Sequence, residues 1–275
     1  MNPRYGKIFQ KIRLQRNFTL DDFKALGISK ASLSKFENNH NTISVERVNS
    51  ALQEMNITLK EYEYFLNDFS HEFHEEVFQL IEESQYKGNF ETLQLIEKDC
   101  LEQEQYLLSL AAKSSYGFLT FDEQEEIVDY LESLEKWSFF DISLLTFTVK
   151  NFRDTFIIEI MDIFWEKNGS YKNIFEYRRR IHQATHRSIY VLINRRNKRY
   201  AKMLLTKIKQ ELSDTDIFAK IMNQFIVGCY TYQFENKVEG EHLIQLALRL
   251  FQDTGSHVYY GFYKKLYQDF IRKNG

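Results

Sequence analysis

Apolar residues recur along most of this 275-residue chain at spacings of three and four, the period of a helix with one buried face. In RYGKIFQKIRLQ, Tyr5, Ile8, Phe9 and Ile12 share such a face. Thr19 with Asp22 makes a capping-box-like start for a second helix running through Ala25. Beyond a tight turn at Gly27, Ser29 caps a third helix reaching about Asn38. Ser44 opens a fourth, SVERVNSALQEM, and Thr58 with Glu61 caps a fifth, LKEYEYFLNDF. From about residue 71 the pattern predicts longer helices, over 71–86, 89–116 with a break, 122–135, 138–151, 153–168, 173–197, 198–212, 216–236, 238–253 and 257–272. Short polar connections such as KNGSY and SDTD separate them.

Helix pairs begin near 138, 173 and 216, close to the spacing of helical repeats, roughly 34–45 residues. The tetratricopeptide consensus itself is not visible. EGEHLIQLALRLFQDTG, with apolar positions 243, 246, 247 and 250, is the most repeat-like helix. The expected fold is all-α: a small unit of five short helices over 1–66, a linker over 67–75, and a tetratricopeptide-like helical-repeat domain over 76–275. Stacked helix pairs of this kind curve into a solenoid with a concave groove. The single proline and ten glycines favour long helices over many short strands.

Cys100 and Cys229 show no metal-type or redox-type spacing, which fits a reducing compartment. No stretch approaches the length of an apolar membrane span and no apolar signal core opens the chain, so a cytoplasmic protein with no membrane partner is expected. Net charge is −3 but unevenly spread: residues 1–66 hold ten Lys/Arg against seven Asp/Glu, a net of +3 that leaves −6 on the rest. A basic front on an acidic body points to an anionic partner at the front.

The third helix, within SKASLSKFENN, carries the most information. With Leu33 taken as inward, Phe36 and Glu37 fall on the same side, while Ala31, Ser34, Lys35 and Asn38 point away. The outward face is small and polar, without the i,i+4 acid–base pairs of a solvated surface. A helix entering a DNA major groove needs small residues for close approach and donors for base edges. A plain exposed helix has the same pattern, but LGIS joins this helix to the one before it in a helix-turn-helix layout.

The stretch resembles the Cro/phage-repressor helix-turn-helix family, whose pattern here is turn–Ser–x–x–small–apolar–Ser–basic–apolar–Glu–Asn. That resemblance implies a structural pair between Arg13 in the first helix and Glu37 at the end of the recognition helix. It makes Lys30, Ala31, Ser34 and Lys35 the base-facing candidates. Asn38, Asn39, His40 and Arg16, with Arg4 and Lys7, become the backbone-phosphate candidates. The likeness continues along the chain. LTFDEQEEIVDYLESLEKWSFF (119–140), YRRRIHQATHRSIYVLI (177–193) and EGEHLIQLALRLFQDTG resemble segments of the Rgg/GadR/MutR-type regulators. Where that family usually has Ser-x-Leu-Ser-Arg-Phe-Glu-x-Gly, this chain has Lys35 for the arginine, Asn39 for the glycine and His40 for the acid that follows it. The resemblance implies a sequence-specific, DNA-binding transcriptional regulator of Gram-positive bacteria. It implies a homodimer on a palindromic double-stranded operator, with a repeat domain that dimerises and senses a short peptide pheromone, as in quorum sensing.

The second domain holds a dense basic run from Lys172 to Lys202, including Arg178, Arg179, Arg180, His182, His186, Arg187 and Arg195. It reads either as a solvated face with internal ion pairs, as a groove lining that meets a peptide carboxylate through arginine forks, or as a further DNA contact. Side-chain amides pair with an extended backbone in both senses, which marks Asn151, Asn194 and Asn223, beside Arg153 and Tyr230, as candidate peptide contacts. Trp137 and the Phe-rich run 139–156 read as core. Catalytic chemistry has little footing: there is no phosphate-cradling glycine loop, nucleophile elbow or paired Cys/His. HEFHEE (71–76) lacks a third ligand, and His182 with His186 neighbour arginines that repel a cation, so no metal or cofactor is expected. Cys229 reads as a buried helical thiol rather than a redox switch. Two other readings keep the same helices: a helical-repeat scaffold that binds protein at both ends, and a DNA-binding regulator with no peptide ligand.

Overall fold

The computed structural model describes residues 4–68, 72–167 and 173–274; Lys172, His71 and the side chain of Arg4 lie outside them. It is all-helical, with no strand among the described residues. The chain divides into two compact units, one ending at Glu76 and the other beginning at Val77. In the first unit α1 (Arg4–Gln15) is followed by a 3₁₀ turn (Lys24–Leu26), then α2 (Lys30–Glu37), α3 (Val45–Glu54) and α4 (Leu59–Leu66). Then come α5 (Phe73–Lys87), α6 (Phe90–Glu102), α7 (Tyr106–Tyr116), α8 (Phe121–Ser133) and α9 (Phe139–Thr148) with a 3₁₀ extension (Val149–Asn151). α10 (Asp154–Lys167), α11 (Phe175–Asn194), α12 (Lys198–Glu211), α13 (Ile217–Phe234), α14 (Lys237–Asp253) and α15 (His257–Asn274) complete the chain.

The second short helix expected from Thr19 is not an α-helix. Asp22 does accept from the Thr19 N–H at 2.6 Å, but the segment turns and then forms only the 3₁₀ turn. Its apolar residues explain this: Leu20, Phe23 and Leu26 repeat every three residues, the 3₁₀ period, and Phe23 is fully buried between Phe9 and Phe18. The other starts are capped through side chains: Ser29 accepts from Ser32 N, Ser44 from Arg47 N, and Thr58 with Glu61 forms a reciprocal capping box.

Gly88 and Gly255 end α5 and α14 in the left-handed conformation, and with so few glycines the chain uses other residues in that conformation elsewhere. Asn17, Asn39, Asn56, Glu104 and Arg196 have φ of 59°, 61°, 56°, 57° and 61°. At each, the next residue's N–H reaches back to a carbonyl of the final helical turn, as His40 does to Lys35 and Gln105 to Cys100. This is the Schellman arrangement, and asparagine tolerates it best after glycine. Glu104 is also where the predicted 89–116 helix breaks into α6 and α7.

In the second unit α9 and α11 are central. Every residue from Asp141 to Val149 and from Arg180 to His186 is buried. Trp137 is fully buried ahead of α9, donating to Leu131 O at 3.0 Å and packing on Phe164. α13 and α14 pack at backbone distance: a Cβ on Gly240 would lie 2.2 Å from Tyr232 N, and one on Gly228 would lie 2.7 Å from Ile244 Cγ1. Cys100 and Cys229 are buried free thiols, and burial raises both pKa values, that of Cys100 to about 11. No helix among the described residues is long and apolar enough to cross a membrane.

Candidate nucleic-acid interface and ligand groove

In the first unit α2 is held from below and open above. Leu33, Phe36 and Glu37 are buried, whereas Lys30, Ala31 and Lys35 are exposed and Ser34 is half-buried. Phe36 packs edge-on against Phe9 of α1, and the two helices approach so closely that a Cβ on Gly6 would lie 2.0 Å from Phe36 O. Arg13 of α1 donates from Nε to Glu37 Oε1 at 2.6 Å and from Nη2 to Oε2 at 2.8 Å. A third bond, from Nη1 to Phe18 O at 2.8 Å, ties the same guanidinium to the turn after α1. The Glu37 hydrogen bonds, against the opposing effect of burial, raise the Arg13 pKa. Two planar ends in fork-on-fork contact fix the rotation of α2 about its axis, so the outward residues face one direction.

Lys30 and Lys35 are not equivalent on that face. Lys30 Nζ lies 3.3 Å from Asp21, which also pairs with Lys24 at 2.8 Å; the two lysine hydrogen bonds lower the Asp21 pKa. Lys35 makes no ion pair among the described residues. Asn38 donates to Ser34 O and accepts from Lys7, which brings Lys7 to the end of α2. His40 and Arg16 are exposed. Asn39 is placed differently. It lines a pocket of about 560 Å3 within this unit, with Oδ1 buried and lacking a hydrogen-bond partner. Its left-handed backbone at the end of α2 accounts for an asparagine where the resembled family has glycine.

The second unit contains a groove of about 400 Å3, in the size range of small-ligand pockets. Its walls come from the end of α9 with its 3₁₀ extension, and from α5, α11, α13 and α15. Apolar side chains such as Phe147, Val191, Met222, Ile226 and Leu266 make most of the surface. The charged lining is of one sign: Lys150, Arg187, Arg195 and Lys273, with no aspartate or glutamate. Arg187 lies over the Phe147 ring and donates to Thr146 O and Gln85 Oε1. Arg195 donates to the carbonyls of Phe152 and Lys150 and pairs with Asp154 at 2.9 Å. Burial first, and Arg187 second, lower the Lys150 pKa to about 8. His186 also lines the groove; it is 1% exposed, and neither ring nitrogen has a hydrogen-bond partner. Burial lowers its pKa to about 3, so it is neutral. Asn223 approaches this ring, but its own Oδ1 stays without a partner.

Of the residues picked for a peptide, Asn194 lines the groove, with its amide donating to Tyr190 O. Asn223 stands behind the groove at His186. Asn151 is placed as an internal clamp, accepting from Leu119 N–H and donating to Ser114 Oγ at 2.6 Å. Arg153 stacks on Phe121 and Phe156, and Tyr230 is buried against Phe234 with Lys202 over its ring. The structure does not bring Asn151, Arg153 or Tyr230 to the groove. The basic run divides by role: Arg180 and Arg179 pair with buried Glu82, Arg187 and Arg195 line the groove, and Lys202 pairs with Glu235 at the surface. His182 and His186 have ring centroids 6.4 Å apart, and no cluster of three metal-ligating side chains occurs among the described residues. Lys150 and Lys273 also line the groove, although neither stands out as a peptide contact in the sequence. A lone lysine in the apolar run TFTVKNF was the available sign for the first.

Residues 98–265 match the family described as HTH-type transcriptional regulator Rgg, C-terminal domain, and residues 9–62 match the helix-turn-helix family. Solved structures share the fold over nearly the whole chain. A candidate transcriptional regulator from Listeria monocytogenes EGD-e is 17% identical with a TM-score of 0.81, covering 98% of this chain and 98% of that one. The SHP pheromone receptor Rgg2 of Streptococcus dysgalactiae is 19% identical with a TM-score of 0.75, covering 96% of this chain and 99% of that one. PrgX in its complex with cCF10 is 13% identical with a TM-score of 0.68, covering 98% of this chain and 93% of that one.

Proposed function

The chain belongs to the family of HTH-type transcriptional regulators described by Rgg, and from that premise we propose that it reads DNA through α2 and takes a short peptide in the groove of its second unit. The observation that carries the DNA half is the clamped α2, whose outward face offers Lys30, Ala31, Ser34 and Lys35. Lys35 is the strongest candidate for a guanine edge, because Lys30 shares its charge with Asp21. Lys7, Arg16, Asn38 and His40 border the same face as phosphate contacts. The peptide half rests on the cationic, largely apolar groove and on the family; the solved relatives include a pheromone receptor and a PrgX/cCF10 complex. Residues 1–66, with a net of +3, bind weakly alone, so a homodimer on two half-sites is the working form. The protein acts in the cytoplasm and carries out no catalysis of its own.

The test is binding of the full chain to the intergenic duplex beside its gene. Affinity is expected to fall steeply with salt. Lys35→Ala should weaken specific binding by about 1–3 kcal/mol while leaving unrelated duplex unchanged. Equal loss on both would make Lys35 a phosphate contact, and absence of binding at low salt would remove the DNA reading.

A further inference from the structure

The composition of the groove restricts what can occupy it. Four cationic side chains line it and no acid does, Arg195 alone of the four being ion-paired, with Asp154, and the remaining wall is mainly apolar. An occupant therefore carries negative charge at one place and apolar side chains elsewhere. The charges gather where the α9 extension meets α11. Lys150 is on the extension, Arg187 faces it from α11, and Arg195, capping the end of α11, holds the Lys150 carbonyl at 3.1 Å. Arg187 spends one N–H on Thr146 O and one on Gln85, leaving guanidinium donors for a ligand. His186 precedes Arg187 in the same wall, buried and neutral, with Asn223 beside its ring.

Resting on the peptide reading above, we propose that this basic corner seats the free C-terminal carboxylate of an apolar peptide, with Lys150 and Arg187 as its ionic partners. The volume, about 400 Å3, suits the end of a peptide rather than its whole length. An arginine fork matches a carboxylate, and an apolar peptide with an uncharged body has no other anion to offer. Asp154 does not compete, because it is engaged by Arg195 and Asn197.

The probe is a pool of N-acetyl octapeptides built from Leu, Val, Phe, Tyr, Ser and Asn, prepared once as free acids and once as C-terminal amides. Each pool is equilibrated with the full chain, and bound members are identified by mass spectrometry after gel filtration. The proposal expects retained free acids whose amides bind at least about ten-fold more weakly. Lys150→Met should erase most of that preference and Lys150→Arg should keep it. The groups that share the groove with Lys150 are Arg187 of α11, Arg195 just after it, Lys273 of α15 and the Phe118 ring, with no acid among them. Its amine therefore loses charge as pH rises through about 8, and the acid preference should shrink between pH 7 and 9. Equal retention of acids and amides overturns the carboxylate proposal and leaves the peptide reading standing. Retention of neither pool overturns both.

Discussion

Glu37→Ala is expected to destabilise the first unit by about 3–5 kcal/mol, because it leaves the Arg13 guanidinium buried without its counter-charge. The side chains are 7% and 2% exposed, so little water can replace the lost partner. Arg13 would keep its bond to Phe18 O but lose both bonds to the carboxylate. Hydrogen exchange on the full chain should show loss of protection in α1 and α2 while α9 and α11 stay protected. DNA affinity should fall with it, since the rotation of α2 is no longer fixed. An Arg13→Met/Glu37→Leu double variant should recover most of the stability, because apolar replacement of a buried pair costs little. If the single variant exchanges like the parent chain, the pair is not holding α2.

Glu82→Ala should have a comparable effect, about 3–5 kcal/mol, on the second unit. Glu82 of α5 pairs with Arg180 at 3.0 Å and Arg179 at 3.4 Å, and accepts from Gln183 at 2.7 Å. Its removal strands Arg180, which lies between the Phe139 and Phe147 rings. Burial alone pushes the Glu82 pKa up, but Arg180, Arg179, Gln183 and Arg187 together outweigh it and the net shift is downward. Burial lowers the Arg180 pKa, yet an arginine begins so high that it stays charged. The sign follows. A carboxylate with a depressed folded pKa stabilises fully above its unfolded value, near 4.3, and loses that contribution as pH falls through the folded value. Denaturation from pH 7 down to pH 3 should show that loss in the parent chain and a flatter profile in Glu82→Ala. Identical profiles would remove Glu82 from this role.

These two pairs also mark how far the sequence can be read. The helices were legible because three- and four-residue spacing and Ser/Thr caps act locally. Resemblance to known regulators placed Arg13 opposite Glu37, and the structure has both forks in contact. The segment after Thr19 forms a 3₁₀ turn instead of the expected helix because a capping pair marks where a helix begins but not whether its apolar period is 3 or 3.6. Leu20, Phe23 and Leu26 follow the shorter period. Glu82 and Arg180 are 98 positions apart in sequence, and no local rule joins them. The groove was less legible for the same reason. Lys150, Arg187 and Lys273 meet only through packing of α9, α11 and α15, whereas Asn151 and Arg153, conspicuous in sequence, are used elsewhere as a clamp and a ring stack.

The central claim is that α2 reads a DNA sequence, in a dimer. Selection of bound duplexes from a random pool by the full chain tests it most directly. The account predicts enrichment of a two-fold symmetric sequence whose half-sites are centred about one helical turn apart, roughly 10–10.5 base pairs or a multiple of it. Recovery of duplexes with no shared sequence, or of none at all in low salt, would contradict it.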